Sequence, residues 1–418
     1  GNSVVFGASK ESSQILKKEK LSFRILPELT RQSLEDIKKL RLNLYSTKNI
    51  EDFVKSEITL IRAEKPDLVV SDTRPTAKIS SKITSVPLVT INNANLSTFY
   101  DYSNASFPLP TFFLSEFLPV RVISQFEKKW MQKNVLSKVG PTLIEAFFIK
   151  QLLKFNIVLR KFRQAPIKSL YSLFRGDLTL ICDAPFFRPM KTLPKDMVMT
   201  GPLFWQPNIN PPSWARNLES KIREGHKIIY VTAAGTGDKY IFKKVLETVC
   251  DFPAIIVATG GNAVNIKDLK LPKKDNLFLT DFLPGDWIMK NARAVIFFGG
   301  NSTAYQALSN GTPQITLPLH LDQQDNANQL SRLGTTIILN PFKVSKETLL
   351  PALSEILFNP KYKNTCLKYK KELENWPGVA NAANEVEKFM QKGKRIPKSK
   401  NPLTKIFERV FLKKSLNP

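Results

Sequence analysis

Residues 295–330 read VIFFGGNSTAYQALSNGTPQITLPLHLDQQDNANQL. The apolar run Ala294–Phe298 has the length of a buried strand, and it ends at a Gly299-Gly300-Asn301-Ser302-Thr303 turn that opens a short helix. A second strand, Gln314–Pro318, leads into Asp322-Gln323-x-x-Asn326-Ala327. Glycines directly after a strand let backbone N–H groups approach a diphosphate, and the helix that follows aims its positive end at the same charge. The acid–amide pair stands past the carboxyl end of the next strand, where open α/β sheets take their ligands. A carboxylate beside an amide accepts from and donates to several sugar hydroxyls at once. The stretch predicts a nucleotide-sugar pocket in an α/β fold.

The same stretch resembles the donor-site signature of UDP-glycosyltransferases, in the branch that includes bacterial macrolide and glycolipid glycosyltransferases. Gly299, Gly300, Thr303, Ala307, Leu308, Gly311, Pro313, Pro318, Asp322, Gln323, Asn326 and Ala327 fall in register with it. Three positions depart. Phe298 stands where a His contacts the diphosphate, Ser302 where a second-tier Gly is usual, and Gln306 where a Glu binds ribose. The resemblance implies a GT-B fold, two facing Rossmann-like domains with the site in the cleft, and an inverting transfer from a UDP-sugar. It implies no metal and no other cofactor, because helix ends and side chains neutralise the leaving diphosphate.

Outward from this stretch, the second half begins with strand Lys227–Thr232, followed by Gly235-Thr236-Gly237, a turn suited to cradling phosphate or simply to joining strand and helix. A helix at 239–250 and strands at 254–259 and 276–280 follow. Asp281-Phe282-Leu283-Pro284-Gly285 resembles the family segment that holds uracil, with Phe282 offering a face for stacking and the Leu283 backbone the base edge; Phe282 as plain core is the other reading. Gly285 replaces a Gln that contacts ribose. The resemblance thus implies Gly235, Thr236, Gly299, Gly300, Asn301, Ser302 and Thr303 at the diphosphate. It puts Phe282, Leu283 and Gln306 at the uridine, and Asp322 and Gln323 on the donor sugar. Asp322 as only a helix cap is the alternative.

The first half alternates in the same way. Strands are expected at 3–8, 22–26, 68–72 and 87–91, with helices at 10–18 and 33–64, then a further strand at 178–182 and a short strand followed by a turn over 198–202. The opening Gly-Asn-Ser-Val-Val-Phe matches the family's second strand, so the central first strand and its His-bearing loop are expected to be missing and the N-terminal domain incomplete. Asp72 ends a strand where the family keeps the Asp that orients its catalytic His. Asp72 is therefore the candidate catalytic residue, partner of a His absent from this chain; a strand-end cap is the other reading. Pro207, Pro211 and Pro212 mark a linker. The domains expected are 1–200, linker 201–213, 214–390, and a basic amphipathic tail at 391–418.

Composition bounds the remainder. A chain of 418 residues holds two domains with their own cores. No apolar run reaches the roughly 18 residues of a membrane span. Cys182, Cys250 and Cys366 are scattered and only two histidines are present, which argues against disulfides and zinc and for a reducing cytoplasm. The formal charge of +26 comes without a nucleic-acid motif, leaving an anionic membrane surface or a Lys-rich solvated exterior. Residues 111–174 are dense in Phe, Leu and Ile with interleaved Lys and Arg, fitting an acceptor funnel, a membrane-dipping face or ordinary core. With 28 Phe against 9 Tyr, the chain favours a hydrophobic or lipid acceptor. The tail stripe Leu403, Ile406, Phe407, Val410 and Phe411 predicts a helix that either lies on a membrane or packs back on the first domain. The departures at Phe298, Gln306 and Gly285 leave a catalytically silent nucleotide-sugar-binding protein as the alternative function.

Overall fold

The computed structural model describes residues 3–10, 12–29, 44–105, 107, 108, 122, 125, 126, 128–204, 214, 215, 218, 221 and 224–393. In the first half, β1 (Phe6–Ala8) and β2 (Phe23–Ile25) pair in parallel around α1 (Ser13–Lys18). Helix α2 (Thr47–Glu64) starts on a Ser46–Asn49 capping box and stops at Lys65, which takes a left-handed conformation. Residues 44–46 are therefore outside the helix expected from residue 33, and 33–43 lie outside the described residues.

Strand β3 (Val69–Asp72), α3 (Ala77–Thr84), β4 (Leu88–Asn92), α4 (Ser137–Phe147), α5 (Ile149–Lys161), β5 (Leu178–Ile181) and β6 (Met197–Met199) complete this half. The order β3-β4-β5-β6 is a four-stranded parallel sheet, separate from the β1-β2 pair. Val70 of the edge strand β3 is 49% exposed. Glu57 of α2 is buried and accepts hydrogen bonds from Arg74, Thr76 and Ser80, tying that helix to α3.

The second half runs β7 (Ile228–Thr232), α6 (Lys239–Val249), β8 (Ile255–Thr259), β9 (Leu277–Thr280), α7 (Gly285–Asn291), β10 (Ala294–Phe297), α8 (Asn301–Asn310), β11 (Gln314–Thr316), α9 (Leu321–Leu333), β12 (Thr336–Ile338), α10 (Lys346–Phe358), α11 (Pro360–Leu373) and α12 (Gly378–Gly393). Its six strands lie in the order β9-β8-β7-β10-β11-β12, all parallel. Renumbered from β7, this is the doubly wound order 3-2-1-4-5-6. Strands β7, β8 and β10 are buried along their whole length, as covered parallel strands are, which explains their unbroken apolar sequences.

Two segments cross between the halves. Helix α12, counted with the second domain on sequence, lays Ala382, Val386 and Phe389 against Val89, Leu178 and Leu180 of the first sheet. Segment 183–188, which follows β5, enters the second domain, where Ala184 and Phe187 join the core formed by Tyr230, Val257, Phe297 and Tyr305. The proposed linker residues 205–213, the tail from 394 onward and residues 111–121 of the Phe-rich stretch lie outside the described residues. Among the described residues, no helix is long and apolar enough to cross a membrane, and the three cysteines are free and buried.

Candidate functional site

The carboxyl ends of β7, β10 and β11 carry the residues singled out by sequence. Gly299 holds φ +84°, and a Cβ there would stand 2.7 Å from the Gln323 carbonyl oxygen, so this turn accepts only glycine without distortion. Gly300 is the N-cap of α8 and has no side chain to satisfy the first-turn N–H groups of Asn301, Ser302 and Thr303. Ser302 is exposed at that helix end and Thr303 is buried behind it. Gly235 and Thr236 form the exposed turn after β7. Thr236 meets α9 directly, since its hydroxyl accepts from Gln323 Nε2 at 2.8 Å.

The acid–amide pair divides its work. Asp322 lies in the first turn of α9, whose N-cap is His320, so it is not the cap residue. Its side chain is 48% exposed. Gln323 is only 1% exposed, with Oε1 accepting from the Leu319 N–H at 2.7 Å and Nε2 spent on Thr236. Gln323 is thus a strut between two loops, and Asp322 is the exposed member of the pair. Of the two residues expected at the uridine, Phe282 is 44% exposed rather than core, while the Leu283 side chain is buried. A Cβ at Gly285 would come within 2.5 Å of Gln306 Oε1, so the Gln306 amide occupies space a larger residue at 285 would need. The two departures from the family pattern sit on each other.

Phe298 packs into the core with Ile315, Leu317 and Leu319 and brings no polar group to the pocket. Asp72 is exposed at the end of β3 and accepts a hydrogen bond from the Thr73 hydroxyl at 2.8 Å. His226 stands in the turn before β7, 3.7 Å from Glu224, and His320 begins α9.

The residue missing from the sequence reading is Arg188. Its side chain has no solvent exposure. Nε donates to Asp325 at 2.9 Å, Nη1 to Asp183 and to Asn301 Oδ1 at 3.0 Å, and Nη2 to Asn326 Oδ1, with Asp322 at 3.9 Å. Asn326 in turn donates to the Gly299 carbonyl at 2.7 Å. A guanidinium from the first domain thus ties the start of α8 to the second turn of α9. Burial opposes its charge, but Asp183 and Asp325 outweigh burial and keep it protonated. Burial pushes the Asp325 carboxyl above its ordinary value against the pull of Arg188. Burial and the neighbouring carboxylates also keep the phenols of Tyr100 and Tyr305 neutral, as donors to Asp325 and Asp183. Asn93 and Asn95, in the polar loop after β4, add contacts to Asn301, Asp322 and Asp325. On the first-domain side, a cavity of about 160 Å³ opens between Asn92, Phe99, Tyr171, Arg175 and Met197.

Two facing Rossmann-like domains, with a glycine turn and helix end across a cleft from a polar loop, define a GT-B protein. The solved glycosyltransferase VinC in complex with DTDP shares this fold, with a TM-score of 0.61, 16% identity, and 93% of this chain and 92% of that one covered. Residues 243–389 match the family described as Erythromycin biosynthesis protein CIII-like, C-terminal domain. A PGL/p-HBAD biosynthesis glycosyltransferase of Mycobacterium tuberculosis is 28% identical over 321 residues, 76% of this chain and 69% of that protein. An inactive PGL/p-HBAD biosynthesis glycosyltransferase of Mycobacterium bovis is 28% identical over 210 residues, covering 50% and 52%. The chain has the GT-B fold, and these likenesses support a glycosyltransferase of the UDP-glycosyltransferase type.

Proposed function

We propose that the protein transfers a sugar, with inversion, from a nucleoside-diphosphate sugar, UDP-sugar foremost, to a hydroxyl of a hydrophobic small molecule or lipid. The observation that carries this is the uncapped N-terminus of α8 behind the Gly299 turn, together with exposed Asp322 next to the Gln323 that bonds Thr236. The first-turn N–H groups of α8 and the Thr236 hydroxyl would hold the diphosphate and stabilise the negative charge it gains as the glycosidic bond breaks. Asp322 would accept from the sugar hydroxyls and set the anomeric carbon toward the first domain. The acceptor oxygen then attacks from the face opposite the diphosphate, and its proton passes to a base. Asp72 is the candidate for orienting that base. Exposed Phe282 supports stacking on the base of the nucleotide, and the likeness to a PGL/p-HBAD biosynthesis glycosyltransferase supports sugar transfer.

A silent nucleotide-sugar binder is the second reading, favoured by Phe298 turned into the core and by the inactive relative. Calorimetry with UDP and dTDP, followed by release of UDP from UDP-sugars with phenolic and lipid acceptors, separates the two. Binding with turnover supports transfer, binding without turnover supports the silent reading, and no binding at millimolar nucleotide removes both. Asp322→Ala should raise the KM for the sugar donor about tenfold, the loss of one hydrogen bond to a charged group, while UDP affinity stays within about threefold.

A further inference from the structure

Helices α4 and α5 leave an apolar stripe uncovered. Val139 and Leu143 recur four residues apart on α4, and Ile149, Leu153 and Ile157 do the same on α5. Each of these five is between 47% and 57% exposed. The opposite side of α5 buries Gln151, Phe155, Val158 and Leu159, so the helix is already anchored and its outer stripe is surplus to packing. Trp130, just before α4, is 66% exposed. Soluble chains scatter single apolar residues over their surfaces, but a repeated stripe on consecutive helices marks a contact surface.

Charge says what it contacts. Residues 129–176 contain ten Lys and Arg and one acid, Glu145. Glu145 accepts a hydrogen bond from Ser169 at 2.6 Å. Lys138 and Lys150 are exposed directly beside stripe residues Val139 and Ile149. A helix face of Leu, Ile and Trp flanked by lysines suits the boundary between acyl chains and anionic headgroups, where the apolar side chains enter and the ammonium groups stay at the phosphates. We infer that the α4–α5 face docks the protein on an anionic lipid bilayer. The five stripe residues enter the interface, and Lys138 and Lys150 pair with headgroups. The surface belongs to the acceptor-side domain, so docking would bring that domain to the membrane that holds a lipid acceptor. Vesicle binding is measured without any nucleotide, so it stands or falls separately from the chemistry proposed for the cleft.

The test is co-sedimentation of the full chain with vesicles of phosphatidylcholine alone or with about 30% phosphatidylserine. The wild type is expected on the anionic vesicles only, and half a molar salt should release most of it. Leu143→Ser/Leu153→Ser/Ile157→Ser and, separately, Lys138→Glu/Lys150→Glu are expected to weaken binding at least tenfold. Both sets of residues are exposed, so thermal midpoints and UDP affinity should remain near wild type. The inference is overturned if the wild type ignores anionic vesicles. It is equally overturned if both variants bind like wild type while deletion of residues 394–418 abolishes binding, which places the membrane contact in the tail. A concentration-dependent dimer that the triple serine variant loses, without vesicle binding, assigns the face to a second copy of the chain and also overturns it.

Discussion

Arg188 places the largest electrostatic demand on this fold at a single side chain. Taking a guanidinium wholly out of water is costly, and its hydrogen bonds to Asp183, Asp325, Asn301 and Asn326 make its position tenable. Arg188→Met keeps much of the volume but leaves two buried carboxylates without their cation. It should lose about 3–5 kcal/mol of stability in urea unfolding, the usual cost of breaking a buried pair from one side. Stability within about 1 kcal/mol of wild type would show that the cluster is not held by charge. No local pattern in the sequence flags this residue. Asp-Ala-Pro-Phe-Phe-Arg looks like an ordinary loop, and its acceptors on α8 and α9 lie 113 to 138 residues downstream. The donor-loop residues were legible because their chemistry is local: glycines, a helix start, and an acid beside an amide.

Among the elements, the strands were the easiest to foresee, because β7, β8 and β10 are continuous apolar runs bracketed by turn residues. Helix α9 was not legible as a core element. It buries Gln323, Gln324, Asp325, Asn326 and Gln329, so its inward side is polar, and an apolar-periodicity search points the wrong way. Strand β12 is three residues long at a sheet edge, too short to stand out. Helix α12 shows ordinary amphipathicity, but nothing local says that its apolar side belongs to the other domain. What fixes its start is a close backbone contact, where a Cβ at Gly378 would lie 2.1 Å from the Pro202 carbonyl oxygen. Asn381 adds a hydrogen bond to the Thr200 carbonyl at 2.8 Å. Gly378→Val should therefore cost about 1–3 kcal/mol, the range for overpacking, because rotating a side chain cannot relieve a clash between Cβ and backbone. A melting midpoint unchanged from wild type would mean that α12 shifts freely along the first sheet.

For the whole molecule, the fold class followed from βαβ alternation, whereas the join between domains did not. Two-domain chains usually meet across modest, rather polar interfaces and move relative to each other. Here Phe187 of the first half is fully buried in the core of the second, and α12 of the second half covers the sheet of the first. The two halves should accordingly unfold as one unit. Calorimetric and van't Hoff enthalpies are expected to agree, and tryptophan fluorescence and far-UV dichroism should report one midpoint. Phe187→Ala should remove about 3–5 kcal/mol and split the transition in two. A wild-type protein that already melts in two steps contradicts this account.

The reach of segment 183–188 also bears on how such chains can be recombined. A hybrid cut in the natural place, between β6 and β7, would bring a foreign first domain to a second domain whose core has a Phe187-shaped vacancy and whose α9 presents Asp325 with no cation opposite it. The covalent boundary and the boundary of physical dependence are different lines in this protein. A working graft would keep the hexapeptide after β5, together with α12, from the same parent as the parts they touch. The two halves are thus inherited together through six residues and one helix.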